Sequence, residues 1–274
     1  MERRAVLIFL LIAFGLAWAG VFVAQLTGAS LENPLVQLPI AFAPAVAAVV
    51  VRRWVTKEGF RDAGLALRIR EAKVYYLLAL AGPVLIVAAV IALAAALGLY
   101  RPGATPLPGP LSLLGAVGVA AATAPIFFGE ELGWRSYLQQ RVSRRPLRAV
   151  LVTGIIWGLW HAPLVFTDYV AYANPVLGIA TWTLQAVLLA IILAWLFVRS
   201  GTVWVPCVAH AGNNMIISAI SGALLMDGAG LDPATVDLIG LAPLAAIAGW
   251  IVLSGQLSRG AALPQTHLAH AHAA

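Results

Sequence analysis

Apolar stretches long enough to cross a ~30 Å hydrocarbon core recur eight times in this chain, at 5–26, 38–51, 74–99, 111–129, 149–167, 175–198, 202–226 and 238–253. A backbone in lipid must satisfy its own hydrogen bonds, so such stretches are expected to be helices. The pattern predicts an all-α polytopic membrane protein, a single membrane domain over 1–274 with about eight transmembrane helices. Composition agrees, since 62% of the 274 residues are hydrophobic and only 10% are charged. The second stretch is short and holds Pro39 and Pro44, so a kink, a tilt or an extension through Trp54 is expected there. The first follows Met1-Glu2-Arg3-Arg4. It exceeds the ~7–15-residue core of a signal peptide, so an uncleaved span is expected.

The net charge of +6 does not point to nucleic acid, because the basic residues form short clusters between apolar runs, as membrane topology requires. With the N-terminus cytoplasmic, sixteen of the seventeen Lys and Arg residues fall on the inner side and only Arg101 outside. The inner set includes Arg52, Arg135 and Arg259, and both termini are read as cytoplasmic. Glu32, Asp168, Asp227, Asp232 and Asp237 take the outer side. Residues 56–73 mix basic residues with Phe60, Leu65, Leu67 and Ile69, which suits either an amphipathic segment at the inner interface or a solvated loop. Pro102, Pro106, Pro108 and Pro110 predict a stiff loop before the fourth span. The tail 260–274 carries His267, His270 and His272 but builds no closed ligand shell, and disorder is expected there. The lone Cys207 has no disulfide partner within the chain.

Against this background Glu130 and Glu131 stand out, since 111–129 contains no charged residue and a charge at bilayer depth costs at least ~2.5 kcal/mol. Arg135 lies four residues after Glu131, on the same helix face and within pairing distance. Glu130 points about 100° away and needs a distant partner. His161 lies ~20 Å beyond Arg148, His210 ~12 Å beyond Thr202, and Glu130 ~16 Å before Arg141, at 1.5 Å per residue. These depths allow convergence, with Asn214 one turn after His210. A carboxylate beside a histidine can take a proton from water, and a second histidine with an asparagine can donate to a developing oxyanion. Alternatively, Glu130, His161 and His210 would supply two nitrogens and one oxygen to Zn²⁺. Trp157 and Trp160 read as packing residues. Cys207 reads as a small buried hydrophobe rather than a nucleophile. There is no His-Glu-x-x-His, Gly-x-Gly-Asp or rhomboid-like Gly-x-Ser-Gly.

These motifs resemble those of the CAAX-type prenyl endopeptidases, the CPBP or ABI family of intramembrane proteases. The family pattern runs Glu-Glu-x-x-x-Arg, Phe-x-x-x-His and His-x-x-x-Asn or Asp. Here it corresponds to Glu130-Glu131 with Arg135, Trp157 with His161, and His210 with Asn214. Trp157 stands where the family commonly has Phe. The resemblance covers about 111–226 and implies an eight-helix endopeptidase with that stretch as its catalytic core. Its cavity would open toward the cytoplasm, and its substrate would be a membrane-associated peptide or protein. It further implies that Glu130 and His161 activate water, that His210 and Asn214 stabilise the oxyanion, and that Glu131 and Arg135 are structural. It leaves the cofactor open between Zn²⁺ and no metal. Fifteen Arg against two Lys suggest a high-GC prokaryotic gene, hence a multi-pass plasma-membrane protein.

Two other readings fit the same polar residues: a transporter with a Glu/His proton relay, and a non-enzymatic immunity-type membrane protein whose polar groups only join helices. The orientation is testable by itself. Reporter fusions placed after Arg259 should report a cytoplasmic C-terminus, and an external signal there would mean an odd number of spans.

Overall fold

The structure, a computed structural model, describes residues 2–101 and 105–258. Arg259, Pro102 and the tail histidines His267, His270 and His272 lie outside the described residues. The described residues contain no strand. Eight helices are long and apolar enough to cross a membrane: Arg3–Thr27, Pro34–Val55, Lys73–Ala96, Pro110–Val142, Pro146–Phe166, Pro175–Ser200, Trp204–Asp227 and Pro233–Leu253. Their outer faces carry the side chains a lipid-facing surface requires. Leu11, Leu85, Leu111 and Leu253 are between 70% and 89% exposed.

Local chemistry sets where several spans begin and end. The second, sixth and eighth start at an Asn-Pro or Asp-Pro step. Asn33, Asn174 and Asp232 accept hydrogen bonds from the first-turn amides of Leu35, Val176 and Thr235 respectively, and the proline occupies a position that needs no N–H donor. Gly201, at φ 66°, closes the sixth span in the left-handed conformation that glycine reaches without strain. The second span runs past both ends of its apolar core. Helix Pro34–Ala41 hands over at Phe42 to Ala43–Val50 and then to a π-helical turn, Val51–Val55. The break at Phe42 lets Pro44 sit in the first turn of the new segment, where it costs no hydrogen bond.

The fourth span departs most from expectation. Rather than ending near Gly129, the helix continues through both acids to Gly133, passes through a π-helical stretch at Trp134–Leu138, and ends at Val142. Glu130, Glu131 and Arg135 are therefore interior helix residues. Arg135 and Arg52, both counted among the loop cations in the charge pattern, are 0% exposed. Each has a buried acidic partner: Glu131 for Arg135, as the i,i+4 spacing predicts, and Asp62 for Arg52, which the sequence did not signal.

Two glycine pairs let the backbones around these groups approach closely. A β-carbon at Gly129 would lie 2.6 Å from the carbonyl oxygen of Ala41, and one at Gly133 would collide with Pro44. The fourth span therefore presses its Gly-x-x-x-Gly face on the second. Gly154 and Gly158 do the same against Val187 and Thr183 of the sixth span, at 2.8 and 2.6 Å. The first span is tied to the fifth by paired indole bonds. Trp18 Nε1 donates to the carbonyl of Trp160 at 3.0 Å, and Trp160 Nε1 donates to that of Ala13 at 3.1 Å.

At the basic end, residues 56–72 form turns and bends rather than a helix. They are pinned to two neighbouring spans. Gly64 and Leu65 accept from the Val203 amide and the Trp204 indole, at 2.9 and 2.8 Å. Ser136 Oγ donates to the Ala63 carbonyl at 2.8 Å. Arg52 bridges Asp62 at 2.7 Å and the Ser136 carbonyl at 3.0 Å, while Arg141 reaches Glu58 at 2.6 Å. Leu65, Leu67 and Ile69 nevertheless stay exposed beside Arg68 and Arg70, as an interfacial segment requires.

Burial alone would push the Asp62 carboxyl up, but the Arg52 hydrogen bond and the charges of Arg52 and Arg141 hold it below its ordinary value of 3.8. The folded value thus lies below the unfolded one. The stabilisation is fully present above the unfolded value and is lost as pH falls through the folded one. Asp62→Asn leaves Arg52 only Glu58, at 3.4 Å, as a charged partner, and should cost up to about 3 kcal/mol near neutral pH, less than a fully stranded buried charge. Melting in detergent should show the gap to wild type closing below pH 3.8, and a gap independent of pH would contradict the assignment.

Candidate active site

Glu130 and Glu131 leave the fourth span in different directions, and each meets a different set of groups. The Glu130 carboxylate, 6% exposed, accepts a hydrogen bond at Oε2 from the Trp157 indole N–H at 2.6 Å. Glu131 is fully buried. Its Oε2 lies 3.2 Å from Arg135 Nε and its Oε1 lies 2.9 Å from His210 Nδ1. It thus joins the helical neighbour expected from spacing to a histidine of the seventh span. The Arg135 guanidinium also covers the Trp157 ring, 4.2 Å from its centroid, a cation–π contact strengthened by the burial of both side chains. One continuous network therefore runs from Glu130 through Trp157 and Arg135 to Glu131 and His210.

His161 lies just past the last α-helical turn of the fifth span, where Trp160 is the final helical residue. Its Nδ1 is 2.9 Å from the Trp157 carbonyl. A carbonyl only accepts, so Nδ1 carries the proton and Nε2 is the edge left for chemistry. The ring stacks on Trp182 at 5.2 Å and 25° and meets the edge of Trp160 at 4.8 Å. Glu130, Arg135 and His210 are all close enough to act on its charge. The His210 ring sits between Phe127 at 4.6 Å and Trp157 at 5.1 Å. Asn214 lies in a π-helical stretch, Asn213–Ser218, of a kind often found at functional sites. Its Oδ1 accepts from Asn213 Nδ2 at 3.0 Å, so its own amide nitrogen is the end that can donate.

The structure thus brings Glu130, Glu131, Arg135, His161 and His210 around one tryptophan. Among the described residues, the hydrogen bonds of Asn214 join it to Asn213 rather than to that group. The carboxylate bonded to a histidine is Glu131, with His210. Glu130 and His161 are instead linked through the two ends of Trp157. Among the described residues no three His, Cys, Asp or Glu side chains are arranged to hold a metal ion. In the set Glu130, His161 and His210, Oε2 and both Nδ1 atoms already bond to protein. That leaves Glu130 Oε1 and the Nε2 atoms of His161 and His210 as the donors a Zn²⁺ ion would need, since a metal-ligating histidine commonly has its other ring nitrogen hydrogen-bonded to protein.

One motif residue has a role beyond the packing read for it, and two contributors lie outside the motifs. Trp157 acts as a hydrogen-bond donor, which its position four residues before His161 and its N–H, a group phenylalanine lacks, could have signalled. Trp182 comes from another span with no local cue. Tyr169, in the connection between the fifth and sixth spans, is near enough for the Glu130 charge to act on it. Burial pushes its phenol up, a bond with the Gln37 side chain offsets part of that, and the Glu130 charge adds to the rise.

Glu131→Leu strands the buried Arg135 and should cost about 3–5 kcal/mol, while Arg135→Leu leaves Glu131 its His210 bond and should cost less. The double variant should recover only part of the loss, because His210 also loses its acceptor. A double-mutant cycle on melting in detergent checks this, and strictly additive losses would mean that the two residues act independently.

Comparison with known proteins bears on the same stretch. Residues 108–216 match the family model described as type II CAAX prenyl endopeptidase, Rce1-like. A protein of Methanococcus maripaludis named CAAX prenyl protease 2 is 34% identical over 80 residues, which cover 26% of this chain and 28% of that relative. The segment carrying the glutamate pair, both histidines and Asn214 is therefore similar to the Rce1-like CAAX prenyl endopeptidases, as its three motifs indicate.

Proposed function

We propose that this protein is an intramembrane endopeptidase that cleaves a membrane-associated peptide or protein, with its catalytic core over 111–226 of a single membrane domain. The observation that carries the reading is Glu130, a buried carboxylate in an apolar bundle whose Oε2 is held by one indole N–H at 2.6 Å. Its other oxygen is left to accept a proton from water. An acid that served only to join helices would gain from a cation beside it, as the neighbouring Glu131 has in Arg135, with His210 bonded to its other oxygen.

Glu130 Oε1 takes the proton as water attacks the scissile carbonyl, and the lone pair of His161 Nε2 orients that water. His210, oriented by Glu131 through Nδ1, donates from Nε2 to the developing oxyanion. The Asn214 amide supplies a second donor. The proton held by Glu130 then passes to the leaving amine. The helix ends beside the arginine-rich loops are assigned to the cytoplasm on the charge pattern, and a prokaryotic plasma membrane is the setting that fits the composition.

The test is cleavage by the purified full-length protein in proteoliposomes. The substrate probe is a peptide set that includes members ending in a prenylated Cys-aliphatic-aliphatic-X sequence. Wild type should cleave, and the rate with and without a chelator decides whether Glu130 Oε1, His161 Nε2 and His210 Nε2 hold a metal ion. Glu130→Gln should reduce turnover to background with unchanged melting. Asn214→Ala should lower kcat by ~10²–10³-fold with KM little altered. Near wild-type turnover in a folded Glu130→Gln protein overturns the reading. Absence of cleavage together with pH-driven solute uptake would replace it with a transporter.

A further inference from the structure

Trp157 is 2% exposed, and its role in this bundle goes beyond filling space. Two other buried indoles, Trp134 and Trp195, have N–H groups with no hydrogen-bond partner in the structure. Trp18, Trp160 and Trp204 donate to main-chain carbonyls. Trp157 instead aims its N–H at a carboxylate oxygen, at the short distance of a charge-assisted bond. Its main-chain carbonyl holds His161 Nδ1 at 2.9 Å, its ring meets the edge-on ring of His210, and its face carries the Arg135 guanidinium. All four contacts converge on this one residue.

The geometry points to Trp157 as a positioning residue for the reaction. Its indole N–H fixes one oxygen of Glu130 and its carbonyl fixes the tautomer of His161, so one side chain and its own backbone orient both water-activating groups. This rests on the endopeptidase reading above. The indole bond removes the rotational freedom of the Glu130 carboxylate and dedicates Oε1 to the water. A base held within bonding distance only part of the time loses rate steeply, since misplacement by about 1 Å can cost ~10²-fold. Phenylalanine fills most of the same space and keeps an aromatic face under Arg135 but has no N–H. Trp157→Phe thus separates orientation from packing.

Two measurements on the full-length protein test this. In the proteoliposome assay, Trp157→Phe should lower kcat by roughly 10- to 100-fold while KM and melting stay close to wild type. A packing defect would instead lower melting and change both constants. Independently of turnover, the nine tryptophans of a 15N-indole-labelled sample in detergent give resonances that report hydrogen bonding. Glu130→Ala, which keeps Trp157, should move one of them upfield far more than the others. That resonance should be the one missing from Trp157→Phe. Wild-type kcat in Trp157→Phe, or indole resonances that ignore Glu130→Ala, overturns the positioning role and leaves the endopeptidase reading standing. A wild-type protein that cleaves no peptide overturns that reading and this role with it.

Discussion

The arrangement depends on keeping two adjacent carboxylates in a bundle with little water to solvate them. Each would cost several kcal/mol if buried without a partner. The solutions differ. Glu131 is neutralised, with Arg135 at 3.2 Å on its own helix and His210 at 2.9 Å on the seventh span. Glu130 is only tethered, by the Trp157 indole. A charge-assisted bond of this kind contributes about 1.5–3 kcal/mol, enough to hold the carboxylate but with less neutralisation than a cation would bring. The same helix thus carries one acid tied into the scaffold and one left with an oxygen for chemistry.

Those contacts require close packing. Gly129 and Gly133 flank the two acids and let the fourth span press on the second at Ala41, Phe42 and Pro44. Gly154 and Gly158 flank Trp157 on the fifth span and let it meet the sixth at Val187 and Thr183. In lipid, helices gain little hydrophobic drive to associate, so close van der Waals approach through small residues takes over. The larger side chains between those glycines then meet their partners at hydrogen-bonding distance. At the basic end, the lattice of Arg52, Asp62, Ser136 and Arg141 fastens the π-helical stretch Trp134–Leu138. That stretch begins immediately after Gly133 and contains Arg135, so the lattice and the polar centre are mechanically continuous.

How much of this the sequence determined by itself follows from the range of each interaction. The spans were legible because the length and polarity of an apolar run are local properties matched to the bilayer. All eight appear in the structure, including the short second one with its two prolines. The Glu131–Arg135 pair was legible because i,i+4 neighbours on a helix must be close, and the order of the three motifs sufficed to indicate the family resemblance. Tertiary structure decided which acid meets which histidine, since a 100° difference in direction around the fourth helix acquires meaning only once the neighbours are placed. It also decided that Arg52 is buried, because a cation reads as a loop residue until the acid that neutralises it, here Asp62, is in position. Trp157 became a hydrogen-bond donor to Glu130 in the same way. Its indole N–H and the carboxylate are 27 residues apart, and only the packing of the fourth and fifth spans sets the distance between them.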